Sequence, residues 1–168
     1  GNDNVLGARA QGDAVWFATL EGVSRFRDGA FTPMVHEAGF VFDVLPDGTG
    51  ALMATDGHGV MRSGQSLATA PDTEPRTYYT LARDATGAAW AAGPGTGFCQ
   101  VRDDGALRCV GADRPPFNGD LFSMGSCNGR LLAFGSTGVA AMDPKNDAWT
   151  DLTARFGLEN MQAQLNAL

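Results

Sequence analysis

The stretch Gly12-Asp13-Ala14-Val15-Trp16-Phe17-Ala18-Thr19-Leu20-Glu21-Gly22-Val23-Ser24-Arg25-Phe26-Arg27-Asp28-Gly29 decides how this chain is read. It gives a turn, a short apolar strand bearing a tryptophan, a Gly-bearing turn, a second strand and a closing Asp-Gly turn. A unit of that size has a hydrophobic face it cannot bury alone, so it calls for neighbours of its own kind.

Working outward, the unit begins with the alternating Val5-Leu6-Gly7-Ala8-Arg9-Ala10 and runs to Phe31, and three further copies follow. The second contains Phe40-Val41-Phe42-Asp43-Val44-Leu45, then Ala51-Leu52-Met53-Ala54-Thr55, then Asp56-Gly57-His58-Gly59-Val60-Met61-Arg62. Leu52 stands where Trp16 does, Thr55 answers Thr19, Gly59 answers Gly22 and Arg62 answers Arg25. The third carries Trp90 and Phe98-Cys99-Gln100-Val101-Arg102, and the fourth Arg130-Leu131-Leu132-Ala133-Phe134, Gly138-Val139-Ala140-Ala141-Met142 and Trp149. The matched glycines Gly22, Gly59, Gly97 and Gly138 recur about every 40 residues, the period of a four-stranded propeller blade. Gly and Asp turns every eight or so residues would break the paired helices of a helical solenoid.

The fold class is therefore read as all-β: β-propeller blades, about four four-stranded antiparallel repeats in one domain over 1–168, with limits near 4–38, 39–76, 77–118 and 119–158. Residues 159–168 read as the start of a further repeat or a C-terminal tail, so the chain is expected to be a fragment of a larger propeller.

Composition agrees with this reading. Of 168 residues 23 are glycine and only 18% are charged, which suits turn-rich β structure. The net charge of −7, with 12 basic residues placed singly, offers no positive stripe for phosphates or anionic lipid, so nucleic-acid and membrane-surface binding are disfavoured. No apolar run is long enough to span a bilayer.

Cys99 and Cys109 lie at equal distances from Asp104 in Asp103-Asp104-Gly105, which sets them opposite each other across a hairpin. They are either a cross-strand disulfide, implying an oxidising compartment, or two small half-buried residues that face one another. Cys127, in Ser126-Cys127-Asn128-Gly129, is read as a free thiol at a turn.

Chemistry-bearing patterns are sparse. Neither His36 nor His58 has a second ligand-type residue at metal spacing; His36 reads as a solvated linker residue, and no metal or cofactor is expected. Asp47-Gly48, Asp84-Ala85-Thr86-Gly87 and Asp103-Asp104-Gly105 lack the alternating oxygen ligands of a calcium loop and read as turns in which Asp caps its own backbone. No serine sits in a nucleophile elbow, and Gly93-Pro94-Gly95-Thr96-Gly97 lacks the Lys-Ser/Thr step of a phosphate loop. The candidate ligand-binding residues are those on the turns after the second strands: Glu21, Asp56, His58, Thr96 and Thr137.

The opening stretch, with its polar-Gly turn, Trp strand, Ala-Thr step, Gly-Val pair and Arg-aromatic strand, resembles the two-component regulator propeller repeat. Phe156-Gly157-Leu158-Glu159-Asn160 is similar to the segment that precedes a new blade there. The resemblance is strong in the first copy and weaker later: the second lacks Trp, the third has Gly93-Pro94-Gly95 in place of the Thr step, and the fourth lacks Trp and Arg. It implies a periplasmic sensor domain of a histidine kinase, diguanylate cyclase or related signalling protein, without catalysis of its own, receiving a small molecule or glycan. The alternatives are a propeller enzyme, a lyase or glycosidase using Glu21 and Asp56, and a protein-interaction propeller. Four blades leave apolar faces and open edges, so either the four close tightly or two copies cover each other as a homo-oligomer.

Overall fold

Sixteen short strands and one turn of 3-10 helix (Ala154–Phe156) form the described part of this computed structural model, namely residues 4–35, 39–48, 50–63, 65–66, 77–114 and 117–158. His36 and residues 159–168 lie outside the described residues. The strands make four sheets, each an antiparallel meander of four strands consecutive in sequence.

Sheet 1 holds β1 (Val5–Gln11), β2 (Ala14–Thr19), β3 (Gly22–Arg27) and β4 (Ala30–Val35). Sheet 2 holds β5 (Val41–Asp47), β6 (Gly50–Thr55), β7 (Val60–Arg62) and β8 (Gln65–Ser66). Sheet 3 holds β9 (Thr80–Arg83), β10 (Ala89–Ala92), β11 (Phe98–Val101) and β12 (Leu107–Val110). Sheet 4 holds β13 (Leu121–Cys127), β14 (Arg130–Gly135), β15 (Gly138–Asp143) and β16 (Ala148–Asp151). The chain divides into two compact units, Gly1–Tyr78 with sheets 1 and 2 and Tyr79–Leu168 with sheets 3 and 4.

Short polar turns enforce the meander. Asp28 and Asn128 take left-handed backbone angles beside the turn glycines Gly29 and Gly129, and Asp147 does so in the turn before β16, as tight hairpins require. Gly135 is needed for a different reason: a β-carbon there would come 2.5 Å from the Asp120 carbonyl oxygen, where the first and second strands of sheet 4 close up.

Cross-strand register defines equivalent rows in each sheet. In sheet 1, Gly7 pairs with Ala18 and Ala18 with Val23; Ala8, Phe17 and Ser24 form the next row; Arg9, Trp16 and Arg25 the third; Ala10, Val15, Phe26 and Phe31 the fourth. In sheet 4 the same rows are Ser123, Phe134 and Val139; Met124, Ala133 and Ala140; Gly125, Leu132 and Ala141; Ser126, Leu131, Met142 and Trp149. Because side chains alternate across a strand, the first and third rows share one face, here called forward, and the second and fourth the other, called back.

Both units pack by one rule. In the first unit, Trp16, Ala18 and Val23 from the forward face of sheet 1 join Val44, Ala51, Met53 and Met61 from the back face of sheet 2 in a single core. In the second unit, Ala82, Trp90, Ala92 and Phe98 from the forward face of sheet 3 meet Met124, Leu131, Ala133, Ala140 and Met142 from the back face of sheet 4. The segment entering the later sheet seals each seam, Val41 in one case and Phe117 with Leu121 in the other. Each fully buried large side chain contributes roughly 1.5–3 kcal/mol of transfer free energy, so these seams supply much of the stability of either unit.

First strands converge where sheets meet: β5 lies against β1 and β2, and β13 against β9 and β10. Outer strands of the second unit are joined by side chains instead. Arg108 of β12 makes a bidentate ion pair with Asp147 beyond β15, at 2.7 and 2.9 Å, and Trp149 stacks on Phe117 at 3.9 Å. The hydrogen bonds from Arg108 hold the Asp147 carboxyl below its ordinary range, and those to Asp147 raise the guanidinium above its own.

Candidate ligand-binding site

The turn between second and third strands is built alike in the first three sheets. In sheet 1 the Thr19 hydroxyl donates to the Gly22 carbonyl at 3.0 Å and accepts from the Glu21 backbone N–H at 3.2 Å, leaving the Glu21 side chain exposed at the tip. In sheet 2 the Thr55 hydroxyl donates to the Gly59 carbonyl at 2.7 Å. The exposed Asp56 carboxylate accepts the Thr77 hydroxyl at 2.8 Å, and that hydroxyl takes the Gly57 N–H at 3.1 Å, so the acid is fixed in orientation while His58 beside it is exposed.

Sheet 3 places Thr96 differently from the sequence expectation. Its side chain is fully buried; its hydroxyl accepts from the Gly93 N–H and donates to the Gly97 carbonyl, both at 2.9 Å. Thr96 thus supplies the same threonine-to-glycine bond as Thr19 and Thr55, from three residues further along the chain than the expected step. Its hydroxyl braces the turn and is turned away from solvent. In sheet 4 Ser136 and Thr137 are exposed at the tip.

Within the second unit these turns are joined to one another. Gly95 N–H donates to the Gly119 carbonyl at 3.2 Å, Pro94 bridges to Asp120, and Ser136 and Asp120 exchange two bonds, at 2.9 Å from the Ser136 N–H and 3.1 Å to the Ser136 hydroxyl. Asp120, half-buried between the Thr96 and Thr137 turns, was not singled out in the sequence because Asn118-Gly119-Asp120 reads as ordinary turn chemistry. Within the first unit, Glu21 and the Asp56/His58 pair stand on equivalent turns of sheets 1 and 2.

A second polar element was also missed. At the first row, bulges in β1, β5 and β13 accompany Gly7, Asp43 and Ser123, with Thr80 at the same position of β9. Thr80 reaches from sheet 3 to accept the backbone N–H of Met124 in sheet 4 at 3.0 Å. Gly7 has no side chain with which to do this for sheet 2. There Asp43, 1% exposed, folds back onto its own neighbour, accepting the Val44 N–H at 2.9 Å, and Arg9 of sheet 1 closes over it at 2.9 and 3.3 Å. A β-carbon on Gly7 would come 3.2 Å from the Phe42 carbonyl oxygen and 3.4 Å from that carboxylate, so the close approach here is to the backbone entering sheet 2, with the acid at ordinary contact distance. The visible signal was a lone acid inside the apolar run Phe40-Val41-Phe42-Asp43-Val44-Leu45.

Elsewhere the acidic turns serve the backbone. Asp84 accepts from the Thr86 N–H and hydroxyl and from the Ala88 N–H, and its other oxygen takes the indole N–H of Trp90 at 2.8 Å. Burial pushes its pKa up, but these bonds outweigh burial and leave it below the ordinary carboxylate value. Asp104 and Asp143 cap the N–H groups two residues on. Among the described residues no three His, Cys, Asp or Glu side chains converge as metal ligands. Cys99 and Cys109 face each other across β11 and β12 with Cα atoms 3.9 Å apart and are bonded as a disulfide; Cys127 is free and exposed.

No family model matches the sequence, and neither does any curated protein. Solved structures do match. The chain is similar to the extracellular domain of BT4673 from B. thetaiotaomicron, assigned to a one-component or hybrid two-component system, with TM-scores of 0.71 and 0.70 at 17% identity. That match covers 98% of this chain, which spans 24% of the length of the BT4673 chain. The fold is that of a β-propeller. The virginiamycin B lyase of Staphylococcus aureus is a further likeness, with a TM-score of 0.69, 12% identity, and 88% of this chain on 55% of the lyase. So is YCF48 bound to D1 peptide, with a TM-score of 0.58, 19% identity, and 88% of this chain on 52% of that one. Propeller blades thus account for the four sheets and their period. No helix among the described residues is long and apolar enough to cross a membrane.

Proposed function

We propose that this propeller chain is the ligand-receiving part of an extracytoplasmic sensor in a two-component or related membrane signalling protein, with no chemistry of its own. The likeness to the BT4673 extracellular domain over 98% of the chain carries this reading. The Cys99–Cys109 disulfide supports the compartment, since such bonds persist in oxidising surroundings such as the periplasm.

In this reading each unit offers its own contacts: Glu21, Asp56 and His58 on the turns of the first, and Thr137 with the neighbouring Asp120 on those of the second. Carboxylates, an imidazole and a hydroxyl on braced turns suit a small, hydroxyl- or amine-bearing molecule such as a glycan fragment. The test is a thermal-shift screen of the chain against small metabolites and glycans, since a ligand that binds only the folded state raises the melting temperature. A hit lost on Asp56→Asn or Glu21→Gln with the unliganded melting temperature unchanged supports the reading. A full panel without a shift would overturn it.

The likeness to virginiamycin B lyase favours a second reading, an enzyme. Turnover abolished by Asp56→Asn would establish it in place of the first.

A further inference from the structure

One position separates sheet 1 from sheets 2 and 3. Register places Gln11 of β1 where sheet 2 has Asp47 and sheet 3 has Asp84, each two residues past the third row at the turn into the second strand. Both acids serve that row. Asp47 pairs with Arg62 of β7 at 3.2 Å, and Asp84 takes the indole N–H of Trp90 on β10 at 2.8 Å.

Sheet 1 carries both kinds of donor at once and has no acid for either. Trp16 stands where Trp90 does and Arg25 where Arg62 does, with the Arg25 guanidinium 5.5 Å above the Trp16 ring. Trp16 is 2% exposed, yet its indole N–H has no acceptor among the described residues, and neither does the buried Arg25 Nε. The other half-buried arginines each face an acid or a carbonyl: Arg9 has Asp43, Arg62 has Asp47, Arg83 has the Gly87 carbonyl and Arg108 has Asp147. Buried donors and half-buried charges are normally paired, so two unpaired neighbours on one row point to a ligand. The row belongs to the forward face, in the seam with sheet 2 of the same unit.

We propose that Arg25 and Trp16 bind the carboxylate group of a small organic acid, in the role that aspartate plays for the same row of sheets 2 and 3. The planar guanidinium offers paired N–H groups matched to a carboxylate, and the indole adds the donor that Asp84 uses on Trp90. Arg25 is half-exposed, so its guanidinium is reached from solvent. The site stands apart from the turn groups Glu21, Asp56 and His58, and neither depends on the other.

Titration with sodium acetate, at an ionic strength held constant with sodium chloride, tests the proposal through the melting temperature and the indole N–H resonances. Acetate is expected to raise the melting temperature and to move the Trp16 resonance, assigned through Trp16→Phe. The Trp90 resonance, already bonded to Asp84, is expected to stay in place. Neutral acetamide should do neither. Arg25→Gln is expected to weaken acetate binding by about tenfold or more, since it removes the charged donor. Gln11→Asp, at an exposed turn position, supplies the acid from within the chain. It should raise the melting temperature in chloride and abolish the acetate response. No effect of acetate beyond chloride, equal action by acetamide, or a folded Arg25→Gln or Gln11→Asp protein that responds as the parent does would each overturn the proposal.

Discussion

Trp16 and Trp90 occupy the same row of matched sheets, and each has an arginine over its ring, at 5.5 Å for Arg25 and 5.9 Å for Arg108. They differ at the indole nitrogen. Trp90 donates to Asp84, whereas the buried Trp16 N–H has no acceptor among the described residues, because the shorter turn after β1 offers Gln11 where sheet 3 has Asp84. Replacing Trp90 by Phe is therefore expected to cost about 1.5–3 kcal/mol beyond the change in packing, the value of a hydrogen bond to a charged group. Trp16→Phe removes only an unsatisfied donor and is expected to cost clearly less. Chemical denaturation of the two variants side by side checks this, and equal losses would refute it. The lowered pKa of Asp84 fixes the sign of a pH effect. A depressed folded-state value stabilises above the ordinary carboxylate pKa of about 4, and that contribution is lost as pH falls through the folded value. The stability gap between the protein and Asp84→Asn should therefore be full at neutral pH and shrink in acid below about pH 4.

At the scale of strands, the Cys99–Cys109 bond closes a short loop between β11 and β12. Chain-entropy reasoning gives about 2–3 kcal/mol for a loop of this size. Reduction, or the double replacement by serine, should lower the denaturation midpoint accordingly and loosen β12 first, since Arg108 on that strand carries the pair to Asp147. The strands themselves were legible in the sequence, because alternating apolar residues between Gly-Asp turns leave little choice of element. The facing of the cysteines followed from their symmetry about Asp104. What could not be read was which side chains do structural work at a distance. Thr96 looked like a loop residue because the threonine step was sought next to Trp90, and the insertion of Gly93-Pro94-Gly95 had moved it downstream. Asp84 was rightly read as a cap for its own turn, but its second oxygen reaches a tryptophan six residues on, which only the wider loop permits. Both faces of these sheets are apolar, so alternation shows a strand without showing which neighbour each face meets.

At the scale of the whole molecule, each unit has a core cluster of its own, so a defect in one is expected to be felt first there. Removing the Asp43 carboxylate by Asp43→Ala leaves a buried Val44 N–H without its acceptor and the Arg9 guanidinium without its charge partner. A loss of about 2–4 kcal/mol is expected, the cost of stranding a buried donor together with part of an ion pair. Native-state amide exchange should show this loss mainly in sheets 1 and 2, with sheets 3 and 4 keeping their protection. Uniform acceleration across all sixteen strands would mean that the two cores unfold as one.

The polar row where first strands converge also bears on how such a chain can be copied and recombined. One junction is solved by a hydroxyl reaching forward from Thr80, the other by an acid turned backward onto its own strand and covered by Arg9. A duplication or exchange that cuts between Gly7 and Asp43 would part a lock from its key, joining a bare glycine to a repeat that expects a hydroxyl, or a threonine to one already filled by a carboxylate. Lineages of this chain should therefore inherit Gly7, Arg9 and Asp43 as a set, and recombinant arrays spliced elsewhere should fold where those spliced between them do not.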